Sequence, residues 1–278
     1  MKPSFLFHCA RRDISNFALV RRYQRDFAGY LVTGQNSGTH WLKYMIGLAI
    51  AKHWNLPEPQ HVDNQHSNEL IGHPKHKREY AGAPRIALSH SIPHYFVSSL
   101  IARTFVRFPP YFILVRDMRD ALVSNYLKHE RVYTTNFSEY LRVEPGSHRY
   151  IMDVWWYIHF LNRWGSVIAR FPDRTKFIRY EDLRADPKSG LDRIFRHFGY
   201  NLPGEIIDYA VANASKQLMN EKVSPHNPVR FIRADNASTQ TTAENKPPGE
   251  LFSDEDRRYL AQITAENLRH DFGYDYSL

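Results

Sequence analysis

Tyr30-Leu31-Val32-Thr33-Gly34-Gln35-Asn36-Ser37-Gly38-Thr39-His40-Trp41-Leu42 is the stretch on which the fold turns. Tyr30 to Val32 is a short apolar run of strand length, and residues 41–54 read as a long helix. A loop of small polar residues separates them. A strand that passes through such a loop into a helix presents backbone N–H groups and a helix N-terminus to an anion. Gly38 tolerates backbone angles closed to other residues. Ser37, Thr39 and the amides around them are the candidate donors to phosphate oxygens. The loop lacks Gly-Lys-Ser/Thr, so it is not an ATP-type P-loop. A ligand-free strand-to-helix turn explains the same letters, so the rest of the chain has to decide between the two.

Working outward, the same unit recurs. Apolar runs at 85–89, 111–115 and 176–180 are each followed by polar or turn residues, and helices are expected at 119–129, 150–170, 191–198, 205–213 and 254–270. Strands alternating with helices predict a mostly parallel sheet covered by helices on both sides. In the helix over 150–170, Trp155, Trp156, Phe160 and Trp164 read as core packing. Residues 55–84, 130–148 and 225–249 read as loops.

Composition narrows the class. With 278 residues, 42% apolar and 24% charged, the chain has ordinary globular proportions, and residues 1–278 are read as a single domain. A net charge of +8 favours an anionic partner. The basic residues are scattered, which favours a nucleotide over nucleic acid. Cys9 is the sole cysteine, so no disulfide can form within the chain and no Cys-based zinc site exists. His61, His66, His73 and His76 lie in one loop stretch without paired carboxylates, and no metal is expected there. No apolar run reaches membrane-spanning length, and Arg11, Arg12 and Asp13 break the N-terminal apolar pieces. The expectation is a soluble, cytoplasmic protein.

Two further motifs sit at strand ends. Phe112-Ile113-Leu114-Val115-Arg116 runs into a helix carrying Ser124. In an open parallel sheet, ligands sit outside the carboxyl ends of strands, so Arg116 is aimed where the first loop is aimed. A forked guanidinium and a hydroxyl suit one phosphate; pairing of Arg116 with Asp117 or Asp120 is the structural alternative. Phe177-Ile178-Arg179-Tyr180-Glu181-Asp182-Leu183 is the third junction, with Tyr180 placed either to meet a base or to pack in the core.

In this order and spacing, the three motifs resemble the sulfotransferase family, which uses 3′-phosphoadenosine 5′-phosphosulfate (PAPS) and releases 3′-phosphoadenosine 5′-phosphate (PAP). The similarity covers roughly Tyr30 to Met219. It implies a P-loop-like three-layer α/β fold and direct in-line transfer of a sulfuryl group, without metal, to a hydroxyl of a small molecule or carbohydrate. It further implies that Asn36, Ser37, Gly38, Thr39 and His40 bind the 5′-phosphosulfate. Arg116 and Ser124 take the 3′-phosphate, with Trp41 and Tyr180 at adenine. Leu88-Ser89-His90-Ser91-Ile92-Pro93 is similar to the family's Thr-His-Leu-Pro, which makes His90 the general base, with His94 a weaker rival. The chain departs from the pattern at Asn36 and Leu88, where the family has lysines, and at His40, where it has Thr. Asn36 and His40 thereby become candidates for the leaving-group side of catalysis. In the distal segments only Ser215, Met219 and Arg233 match. These departures keep two alternatives open: a PAPS/PAP-binding protein with weakened turnover, and a nucleotide-kinase-like P-loop protein.

Overall fold

The computed structural model describes residues 27–60, 70–72, 80–93, 109–147, 149–221 and 251–277. Five strands form one parallel sheet: β1 (Gly29–Thr33), β2 (Ile71–Gly72), β3 (Ile86–Ser89), β4 (Tyr111–Val115) and β5 (Thr175–Arg179). Their spatial order is β2-β3-β1-β4-β5. The chain therefore adds strands to one side of β1 and then crosses to the other. β1 and β4, paired with Leu31 opposite Phe112, flank the point where the direction of winding reverses, the crevice in which open α/β sheets hold ligands.

Alternation along the strands builds the three layers. Leu31, Ile86, Phe112, Leu114 and Ile178 join the core under α1 (Thr39–His53). Tyr30, Val32, Ile113 and Val115 join the opposite core. That second core is covered by α2 (Met118–Tyr133), α3 (Phe137–Leu141) and α4 (Val154–Arg170). After β5 come α5 (Tyr180–Ala185), α6 (Pro187–His197), α7 (Gly204–Ala212) and α8 (Lys216–Glu221); α9 (Asp254–Asn267) follows the stretch that is not described. Helix α1 has no amphipathic stripe: Leu42 to Ala51 are all buried, Lys43 among them. A helix covered all round reads as uniformly apolar. The expected Trp stripe on α4 is core: Trp156, Phe160 and Trp164 are buried, and Trp156 stacks on Phe160 at 5.2 Å.

Two of the expected loops contain regular structure. Residues 130–148 hold the end of α2 and all of α3, whose Phe137, Tyr140 and Leu141 are buried. Asn136 caps α3 by accepting from Glu139 N at 2.9 Å. Residues 55–84 contribute the two-residue edge strand β2. Helix α4 begins at Val154 rather than 150, because the Asp153 carboxylate accepts from Trp156 N and sets the first turn there. His61, His66, His73, His76, His94 and residues 225–249 lie outside the described residues. Among those described, no helix is long and apolar enough to cross a membrane, and no cluster of three metal-ligating side chains occurs.

Candidate active site

The three predicted junctions and the His90 segment all lie at the carboxyl edge of the sheet. At the end of β1 the loop turns through Asn36 (φ 58°) and Gly38 (φ 85°) into α1. Gly38 is the N-cap residue and brings no side-chain cap, and the first turn carries no acidic residue. The opening N–H groups of a helix have no intrahelical acceptor, so this end keeps its positive dipole uncompensated. A Cβ on Gly38 would stand 2.6 Å from the Tyr180 ring. Glycine is required there both by the backbone angle and by that close approach.

The loop hydroxyls have partners within the fold. Ser37 is fully buried, and its Oγ lies 3.0 Å from the Tyr157 hydroxyl. Tyr157 in turn donates to Arg116 O at 3.1 Å. Thr39 Oγ1 pairs with Thr33 Oγ1 at 2.7 Å. Both hydroxyls are thus engaged with the fold, and the backbone amides of the loop are further groups able to donate. His40 stands half-buried in the first turn of α1.

Arg116 is drawn from the end of β4 onto the β1 loop. Its Nη1 donates to Asn36 O at 2.9 Å, its Nη2 lies 3.6 Å from Asp120, and its guanidinium sits 4.8 Å from the Tyr180 ring centroid. The structural alternative is therefore realised in part, and it leaves capacity. Arg116 Nε is buried with no hydrogen-bond partner among the described residues. Asp117 is taken up otherwise, capping α2 at Arg119 N and pairing with the Arg119 guanidinium at 2.6 Å. Burial raises the Asp120 carboxyl, against the pull of Arg116. Ser124 is half-buried, one turn beyond Asp120 on the same face of α2.

Trp41 meets Tyr180 edge-on at 6.1 Å, and its Nε1 donates to Ala214 O at 3.0 Å. That bond brings the segment of Ser215 and Met219 beside the start of α1. Ser215 is exposed and caps α8 through Leu218 N, and Met219 is buried. Arg233 lies outside the described residues.

His90 follows β3. Its Nδ1 is 2.8 Å from Thr33 O and 3.0 Å from Thr33 Oγ1. A carbonyl only accepts, so Nδ1 carries the proton and the lone pair of the neutral ring falls on Nε2. The next residues are held by α4: Trp164 Nε1 donates to Ser91 O at 3.0 Å and Arg163 Nε to Pro93 O at 3.1 Å.

Sequence reasoning missed this supporting set. Thr33 carried a signal, as the last residue of a strand entering a phosphate-type loop. Tyr157, Arg163 and Trp164 carried only the signal of a core helix. Tyr274, which donates to Glu181, and Tyr276, which accepts from Met118 N at 3.1 Å, carried none. Burial, reinforced by Glu181, raises the Tyr274 phenol, and burial raises Tyr157 and Tyr276. All three keep their protons and act as neutral hydrogen-bonding groups.

Comparison with known proteins places this geometry. Residues 30–241 match the family model described as the sulfotransferase domain. Sulfotransferase 1C2 of Rattus norvegicus is 23% identical over 227 residues, covering 75% of this chain and 71% of its own length. The 3-alpha-hydroxysteroid sulfotransferase of Cavia porcellus is 28% identical over 201 residues, covering 68% and 65%. Among solved structures, mouse sulfotransferase SULT7A1 complexed with PAP superposes with a TM-score of 0.54 at 16% identity, covering 89% of this chain and 85% of that one. Retinol dehydratase in a complex with retinol and PAP gives 0.53 at 16% identity, covering 88% and 82%. At such identities these two structures speak to the fold.

Proposed function

The chain belongs to the sulfotransferase domain family, and from that premise we propose that it acts as a single domain, residues 1–278, transferring a sulfuryl group from PAPS to a hydroxyl acceptor. One observation carries the reading. At the β1/β4 crevice, the uncapped start of α1 sits together with an arginine whose buried Nε has no hydrogen-bond partner among the described residues. Both features fit a ligand carrying two separate phosphate-type groups. The start of α1, with Asn36 and His40, would hold the 5′-phosphosulfate end. Arg116 with Ser124 would take the 3′-phosphate, and Trp41 and Tyr180, with Ser215 and Met219 beyond them, would flank adenine.

When bound, PAPS supplies an activated sulfuryl group whose leaving group is PAP. With PAPS bound, His90 Nε2 would take the acceptor's hydroxyl proton as the acceptor oxygen bonded to sulfur and the bond from sulfur to the bridging oxygen broke. The Thr33 carbonyl keeps the imidazole in the tautomer this needs. The electron pair of the broken bond stays on the bridging oxygen. The α1 amides, the Asn36 amide and His40 are the groups available to stabilise that charge. Relatives named for hydroxysteroids make a small apolar alcohol the first acceptor to try, with carbohydrate hydroxyls next.

A second reading, a PAP-binding protein with weak turnover, is favoured by Asn36 standing where a cation is usual. One pair of measurements separates the readings. PAP at a hundred times its Kd should raise Tm by roughly 5 °C, and ATP should not; stabilisation by ATP alone would sink both. Labelled PAPS with an acceptor panel then tests transfer. His90→Ala should keep the PAP-induced shift and lower transfer about 100-fold or more. Transfer at the wild-type rate would remove His90 as the base, and binding without any transfer would favour the second reading.

A further inference from the structure

We infer that Asn125 is a positioning residue for the reaction: it fixes which way the Asn36 side-chain amide faces at the loop position where a lysine is usual. The inference rests on the sulfotransferase reading and adds to it a residue that no motif contains.

Asn125 is completely buried in α2. Its amide lies 3.1 Å from Met152 O, 3.1 Å from the Tyr140 hydroxyl and 3.0 Å from the Tyr133 hydroxyl. Met152 O can only accept, and the Tyr140 proton is already donated to it at 3.0 Å. The end of the Asn125 side chain facing this cluster must therefore be the NH2 group. The other end is then the oxygen, and it lies 3.0 Å from the Asn36 side chain. An oxygen there demands a donor, so Asn36 must present its own NH2 group. The buried main-chain oxygen of Met152, just before α4, thus dictates the orientation of an amide on the β1 loop.

Asn36 is pinned a second time through its main chain, whose oxygen accepts from Arg116 Nη1. Its φ of 58° is a conformation that asparagine tolerates better than most residues. One of its two side-chain hydrogens serves Asn125. The other has no partner among the described residues, and the side chain is half-buried. The result is one neutral N–H donor held in place from two directions. Donors fixed before the reaction need no reorganisation as charge develops. An asparagine free to flip would offer its oxygen half of the time.

A double-mutant cycle with an independent spectroscopic readout tests this. Asn36→Gly removes the amide while tolerating the positive φ, and Asn125→Ala removes its orienter. Each single variant is expected to lower kcat about tenfold. The double variant should fall no further than either single. A roughly hundredfold loss in the double variant would show that Asn125 acts independently of Asn36 and would overturn the inference. In nucleotide-free protein, the Asn36 side-chain NH2 resonances, assigned by their loss in Asn36→Gly, should be displaced from free-amide positions in the wild type and should return to them in Asn125→Ala. Resonances that do not move would overturn it whatever the activity. If Asn125→Ala does not fold, Asn125→Ser takes its place, because its hydroxyl ends where the Asn125 Cγ stands and is too short to reach Asn36. Wild-type protein that neither binds PAP nor transfers would refute the sulfotransferase reading, while the resonances would still decide the tie between Asn125 and Asn36.

Discussion

Arg116 shows what a single side chain can integrate. It holds the Asn36 carbonyl, faces Asp120 and lies over Tyr180, so three strand ends meet on one guanidinium. Arg116→Lys keeps the charge and loses the planar fork. Calorimetric titration is expected to show PAP affinity lower by about tenfold or more, since hydrogen bonds to charged groups are worth about 1.5–3 kcal/mol; equal affinity would mean that charge alone matters. At this scale the sequence was readable where a residue stood at a strand end beside a turn: Gly38, Arg116, Tyr180 and His90 all reach the crevice. It was unreadable where the partner came from far along the chain. Ser37 and Tyr157 are 120 residues apart, and Asn36 and Asn125 are 89 apart. Periodicity reports that Tyr157 is buried; it carries no information about which hydroxyl it will meet.

Among the elements, α4 couples core to chemistry. Its buried face was legible as a stripe of aromatics, yet two of its side chains, Arg163 and Trp164, also grip the segment after His90. Trp164→Phe preserves most of the packing and removes the donor to Ser91 O. The expected cost is about 1–3 kcal/mol of stability, for a buried carbonyl left without its partner. On the proposed role of His90 as base, steady-state kinetics should show a fall in kcat larger than any change in KM for PAPS, because the displaced segment is the one after His90 and not the loop at the start of α1. An unchanged kcat would mean that Arg163 alone holds the segment. Element length explains what sequence reading overlooked. Strands β1, β3, β4 and β5 are each four or five residues long, whereas β2 has two residues and the helix α3 only five. Such short pieces carry no period, and they are ordered by what they pack against: Phe137 against Phe252 at 4.9 Å, Tyr140 inside a tyrosine cluster.

Across the whole molecule, distant segments are joined by buried polar ties. Asp256 at the start of α9 is 1% exposed and accepts from Ser253, Ser138 and Arg142. Burial alone would raise its carboxyl; the hydrogen bonds outweigh that and hold it below the usual range. A carboxyl depressed by folding stabilises the native state above its unfolded value of about 3.9. The contribution fades as pH falls through the lower folded value. Denaturant titrations should therefore show Asp256→Asn destabilised by about 1.5–3 kcal/mol at neutral pH, with the gap closing in acid; a gap constant with pH would mean that ionisation plays no part. The parallel sheet has a consequence in time. Leu31 of the central strand pairs with Leu88 on one side and Phe112 on the other, partners 57 and 81 residues later. At a synthesis rate of roughly 5–20 residues per second, the second partner leaves the ribosome about 4–16 s after β1. The strand that carries the phosphate loop is made first of the five and secured on both edges only after β4 is made. During that interval its apolar ladder edges are open, which makes the nascent chain's need for chaperone cover greatest at β1.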